Sequence, residues 1–147
     1  MDKNAFLAEF KKYLKGRSLP FTQERETAVN LISGIESHFT VENLLAQKLT
    51  KDMQVSRATL YRTIQLLLDA GLLTRLSRDD KAPLYETLLD RKPHNHFLCN
   101  LCGNIIEFHS NDIENSIKKI SVENGFKVES HSLKIFGLCP ACIIKSK

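Results

Sequence analysis

The chain has 147 residues, 42% hydrophobic and 26% charged, which is enough for one ordinary core or two small ones and argues against wholesale disorder. The net charge of +4 is mild, with +2 in residues 1–87 and +2 in 88–147, so charge alone does not call for nucleic acid. No stretch approaches the roughly 20 apolar residues of a membrane helix, and Met1-Asp2-Lys3-Asn4 does not open a signal peptide. A cytoplasmic protein with no membrane contact is expected.

Residues 3–15 place Phe6, Leu7, Phe10 and Leu14 at helical spacing, with Gly16 as the stop and Pro20 in the following connection. Thr22 then caps a second helix whose apolar side is Ala28, Val29, Leu31 and Ile32, closed by Gly34. Thr40 caps a third, with Val41, Leu44, Leu45 and Leu49 facing inward. Ser56 caps a fourth, striped by Leu60, Ile64, Leu67 and Leu68 and stopped by Gly71. The period then changes to two short strands, Leu72–Leu76 and Leu84–Leu88, around the polar turn Ser77–Pro83. Helices followed by a hairpin is the winged helix-turn-helix order; periodicity alone fits a generic helical bundle with a hairpin equally well.

Asp90-Arg91-Lys92-Pro93 reads as a hinge, which gives domains at 1–88 (1–16 being an extension helix) and 94–147, with 89–93 between them. In the second half, His96–Cys99 and Asn104–Phe108 read as a hairpin. Asn111 or Asp112 caps a helix bearing Ile113, Ile117 and Ile120, ended by Gly125. Phe126–Leu138 reads as one long strand, followed by a short basic tail.

Three groups of residues carry chemistry. All four cysteines lie in the last third as two Cys-x-x-Cys pairs, Cys99/Cys102 and Cys139/Cys142, separated by 36 residues. In a reducing compartment this spacing reads as one tetrahedral zinc site, because two intervening residues turn both thiolates of a pair toward one ion. Two redox dithiols or four buried thiols are the alternatives. His94-Asn95-His96 sets two imidazoles on one face of a strand, with Glu86, Glu107 and His38 as further candidate ligands. Such a set suits Fe(II), Mn(II) or Zn(II). On the fourth helix Arg57, Tyr61, Arg62 and Gln65 are left facing outward. Arg can read a guanine edge and Tyr a thymine methyl or a phosphate, although a solvated charged face would look the same in sequence.

The run His94-Asn-His96-Phe-Leu-Cys99-Asn-Leu-Cys102-Gly103-Asn-Ile-Ile-Glu107-Phe108 resembles the core of the ferric uptake regulator family. So do Ala58-Thr59-Leu60-Tyr61-Arg62, Thr22-Gln-Glu-Arg25, and the closing His131-Ser-Leu-Lys-Ile-Phe-Gly137-Leu-Cys139-Pro-Ala-Cys142; together they span about residues 18–142. The resemblance implies an α+β chain and a homodimeric, metal-dependent repressor. Its N-terminal winged helix would bind an inverted-repeat operator in double-stranded DNA, and its C-terminal α/β half would dimerise. By position, Cys99, Cys102, Cys139 and Cys142 match a structural Zn2+ site. His38, Glu86, His94, His96 and Glu107 match a regulatory site that bridges the halves, and Tyr61 and Arg62 match base-contacting residues.

Some members hold a further metal at positions that here are Pro93, Asn95, Glu114 and His131, two ligands too few. A Lys that commonly reaches the minor groove is Pro20 here, which leaves Arg17 as its substitute; Arg25 and Arg57 complete the candidate DNA contacts. Glu107 stands where peroxide sensors of the family carry Asp, which favours Fe2+ as the regulatory ion, with Mn2+ or Zn2+ as alternatives, and peroxide or zinc sensing as the alternative signals. The regulated genes would serve metal uptake or stress. An enzyme is disfavoured. A zinc nucleobase deaminase would need His-x-Glu before Pro-Cys-x-x-Cys, and a four-thiolate site leaves no open position. A zinc-stabilised adaptor with no DNA role is the third possibility.

Overall fold

A computed structural model describes residues 2–35, 38–50, 55–77, 82–88, 94–129 and 131–145, without the side chains of 48–50. The chain divides into two compact units, Met1–Arg91 and Lys92–Lys147. The expected hinge, most of the expected 77–83 turn and the Leu49 side chain lie outside the described residues.

The first unit opens with α1 (Lys3–Gly16), capped by Asp2, whose carboxylate accepts from the Ala5 N–H at 2.8 Å. Gly16 is the last helical residue and not the break; the chain reverses two residues later at Ser18, which takes the left-handed φ of 56°. Next come α2 (Gln23–Ser33), α3 (Val41–Thr50) and α4 (Arg57–Asp69). Thr22 and Ser56 cap α2 and α4 by accepting from Arg25 and Thr59 N–H groups. Thr40 and Asn43 cap each other at the start of α3: the Asn43 N–H donates to Thr40 Oγ1 and the Thr40 N–H to Asn43 Oδ1. After α4 the Leu72 N–H bonds back to the Leu67 carbonyl across Gly71, whose φ of 68° suits a residue without Cβ.

Two short antiparallel strands, β1 (Leu73–Arg75) and β2 (Tyr85–Thr87), form the wing, with Thr74 opposite Glu86. The core lies among the helices: Phe6, Phe10 and Leu14 of α1 pack with Val29, Ile32, Leu44, Leu60, Ile64 and Leu67, all essentially without solvent exposure. At about 1.5–3 kcal/mol per buried side chain, α1 is a structural part of this unit and not an appended arm.

The second unit holds β3 (Asn95–Cys99), β4 (Ile105–Phe108), α5 (Asn111–Glu123), β5 (Lys134–Gly137) and α6 (Pro140–Lys145). The sheet order is β4-β3-β5, with β3 antiparallel to β4 and parallel to β5. A parallel neighbour needs a crossover, and α5 supplies it. Three expectations are corrected. Ser110, not Asn111 or Asp112, caps α5, accepting from the Ile113 N–H. Among the described residues of the expected 126–138, strand structure covers Lys134–Gly137, the four that pair with His96 to Cys99 of β3. The C-terminal segment forms α6 where a plain basic tail was expected.

Candidate metal centres and nucleic-acid face

In the second unit the four thiols converge. Cys99 ends β3, and the Gly103 N–H returns to its carbonyl at 3.0 Å, with Gly103 at φ 75°. That tight turn brings Cys102 back beside Cys99. Cys139 opens the α6 turn, with the Cys142 N–H bonded to its carbonyl at 2.9 Å, so the second pair also faces one way. One sulfur from each cysteine lies within 4.8 Å of the others, and Cys102 Sγ and Cys139 Sγ are 3.6 Å apart. A tetrahedron of sulfurs about 2.3 Å from zinc has edges of about 3.8 Å, whereas a disulfide needs about 2.05 Å. All four are free thiols, and the set fits a single tetrahedral ion.

Their acidities diverge. Hydrogen bonds from the backbone N–H groups of Cys102 and Cys139 lower the Cys99 thiol to about 6. Hydrogen bonds with the Cys102 and Cys139 side chains push Cys142 up to about 12.

The imidazole and carboxylate candidates form one set in each unit. In the first, an isolated bridge between Phe39 and Tyr85, with N–H···O bonds of 2.9 and 2.8 Å, lays the segment before α3 along β2. This sets His38 beside Glu86, Nε2 to Oε1 at 3.6 Å, with the Glu86 carboxylate buried. In the second unit the pleat of β3 puts His96 directly opposite Glu107 of β4. His94, just before β3, approaches Glu107 at 3.9 Å, and the two imidazole rings lie 4.7 Å apart. Glu114, in the first turn of α5, meets His131 at 3.1 Å. Asn95 is fully buried, and neither of its amide atoms has a hydrogen-bond partner among the described residues. An Asn between two histidines carries no sequence signal of that burial.

On α4 the buried stripe of Leu60, Thr63, Ile64 and Leu67 turns Arg57, Ala58, Tyr61, Arg62 and Gln65 outward. Arg57 Nη1 donates to Glu42 Oε1 of α3 at 2.9 Å, and Gln65 donates to Asp69. Arg25 donates to the Pro20 carbonyl, and Arg17 lies over the Tyr13 ring at 4.7 Å.

A capped helix-turn-helix with a two-stranded wing, followed by a small α/β unit rich in metal-ligating side chains, defines a winged-helix metalloregulator. The comparisons agree. The family model described as the ferric uptake regulator family matches residues 17–136, and the chain belongs to that family. It is 35% identical to the ferric uptake regulation protein of Campylobacter upsaliensis, over 100% of this chain and 95% of that protein. Among solved structures, the Helicobacter pylori ferric uptake regulator, described as having three functional metal-binding sites, aligns with a TM-score of 0.76 at 25% identity, over 97% of this chain and 95% of that one. The Pseudomonas aeruginosa regulator with manganese aligns at 0.74 and 26%, over 88% of this chain and 97% of that one. The chain is thus a metal-responsive transcription regulator and not an enzyme. Among the described residues no helix is long and apolar enough to cross a membrane.

Proposed function

We propose that this chain is a homodimeric, ferrous-iron-responsive repressor that binds an inverted-repeat DNA operator in the cytoplasm only when its regulatory site is filled. The observation that carries this reading is the division of the ligands. The first unit supplies two groups, His38 and Glu86, and the second supplies three, His94, His96 and Glu107. Two or three ligands make a weak site and five make a strong one for Fe(II), Mn(II) or Zn(II). An ion that recruits both sets would hold the two halves at one angle, and in a dimer that angle sets the distance between the two α4 helices and hence the half-site spacing. Glu107, the longer carboxylate, favours reversible iron binding over peroxide sensing.

The four cysteines hold Zn2+ in this reading and contribute to folding. Dimerisation belongs to the second unit, where Phe97, Ile106, Phe126, Ile135 and Leu138 are exposed apolar residues. Arg62 and Tyr61 read bases, with Arg17, Arg25 and Arg57 as further DNA contacts.

The test is DNA binding with and without divalent metal, on a duplex selected from a random library by the manganese-loaded protein. His96→Ala should elute as a dimer yet lose the metal-dependent gain in affinity. Equal affinity of the wild type and His96→Ala with metal present overturns the bridging mechanism.

A further inference from the structure

The outward face of α4 is not uniformly available to a ligand. Gln65 is engaged by Asp69, and Arg57 is drawn back onto Glu42, whereas Tyr61 and Arg62 make no hydrogen bond or ion pair among the described residues. Glu42 lies in the first turn of α3, close to the backbone N–H groups that a helix leaves unpaired at its N-terminus. Its own backbone N–H and then the Arg57 guanidinium hold its carboxyl below the usual carboxylate range.

Helix N-terminal N–H groups and an arginine fork are the two devices by which a helix-turn-helix grips the phosphates of DNA. Here a carboxylate of the chain itself lies in the first helical turn and holds the arginine, accepting from Arg57 Nη1 at 2.9 Å. Resting on the reading of the chain as a DNA-binding regulator, we propose that Glu42 is a specificity-determining positioning residue: its carboxylate stands in for a phosphate oxygen and withholds Arg57 from the backbone of arbitrary DNA. Non-specific binding is almost wholly a matter of neutralised phosphates. Pairing Arg57 removes one cation from that count, and the Glu42 charge repels the strand. On the operator, base reading by Tyr61 and Arg62 fixes the register and lets Arg57 leave Glu42 for a phosphate, so the pairing holds back arbitrary sequence alone and the ratio of operator to arbitrary-sequence affinity rises.

The experiment compares wild type, Glu42→Gln, Arg57→Ala and the double variant, each loaded with manganese. Fluorescence anisotropy is read over a range of KCl on two probes, a random-sequence 30-base-pair duplex and the duplex selected by the wild type. Both residues are exposed, and Gln keeps the shape of Glu, so folding is not at stake. Glu42→Gln should bind the random duplex about three- to ten-fold more tightly, with a log–log salt slope steeper by about 0.9, the value for one added phosphate contact. Its affinity for the selected duplex should change less, so the ratio falls. The gain should vanish in the double variant, because it acts through Arg57.

A random-duplex affinity and slope unchanged in Glu42→Gln overturn the inference, as does a gain that survives in the double variant. Failure of the wild type to select any duplex overturns the functional reading and this inference with it.

Discussion

Four thiols within 4.8 Å of one another, one acidified to about 6 and another held protonated up to about 12, are poorly matched to any role without a cation. Binding an ion as four thiolates must expel the proton on Cys142, so affinity rises with pH, and acid, which reprotonates the sulfurs, releases the metal. Zinc, stable at pH 7.5, should be released to a chromophoric chelator as the solution is taken toward pH 5. Cys142→Ser or Cys99→Ser should lose zinc and give an unfolded or monomeric protein, since structural zinc binding is worth about 10 kcal/mol or more in small modules. A zinc-free Cys142→Ser that sediments as a folded dimer would contradict this. On α4, Arg62→Ala should weaken specific binding by about 1–3 kcal/mol and leave random-duplex affinity nearly unchanged, if the side chain reads a base edge. A uniform loss on all sequences would make it a phosphate contact.

At the level of elements, what the sequence made legible was local. The caps at Thr22, Thr40 and Ser56 and the left-handed glycines at 71 and 125 are decided by a few neighbouring residues, and each was readable as such. The two cysteine pairs and the His94/His96 alternation were legible for the same reason. Elements that depend on a distant partner were not. Phe126 and Val128 alternate like strand residues, yet both are exposed outside the sheet, because alternation does not reveal where the ladder with β3 begins. Six residues of α6 are too few to show a period. Ser110, Asn111 and Asp112 are all competent caps, so the choice among them fell to the backbone geometry leaving β4. The Arg57–Glu42 pair, fifteen residues apart, had no signal at all. For α1, the buried Phe10 yields a direct expectation: Phe10→Ala should cost about 3–5 kcal/mol and lower the melting temperature. A near-neutral result would mean that α1 is detachable.

Over the whole molecule, the two units differ in how much of themselves they cover. The first closes its core among its own elements, whereas the second leaves large apolar side chains on strands, helix ends and the segment after α5 open to solvent. On the proposed reading, that surface is what a second protomer covers. Ile135→Asp on β5 should therefore shift sedimentation toward the monomer, and with it abolish tight operator binding, since two half-sites need two joined α4 helices. A fully dimeric Ile135→Asp would place the interface elsewhere on this unit. The signal can be read on the same assembly: the iron-loaded dimer, treated with stoichiometric hydrogen peroxide and digested, should show no rapid gain of one oxygen in the peptides holding His38 or His94 and His96. Such a gain, with loss of operator binding, would make this a peroxide sensor.

The parallel pairing of β3 with β5 has a kinetic side. Cys99 is the last paired residue of β3, opposite Gly137, and the Cys139 N–H already points at the Cys99 sulfur from 3.3 Å. The strand ladder and the thiol cluster therefore close the same loop through α5. Whichever forms first has already met the chain-entropy cost of the other, which depends only weakly on loop length but must be met before any contact repays it. A zinc ion seized by the unfolded chain would thus act as a template for the slow, long-range step. In stopped-flow refolding under reducing conditions, zinc added before dilution should accelerate formation of the second unit, and zinc added afterwards should not.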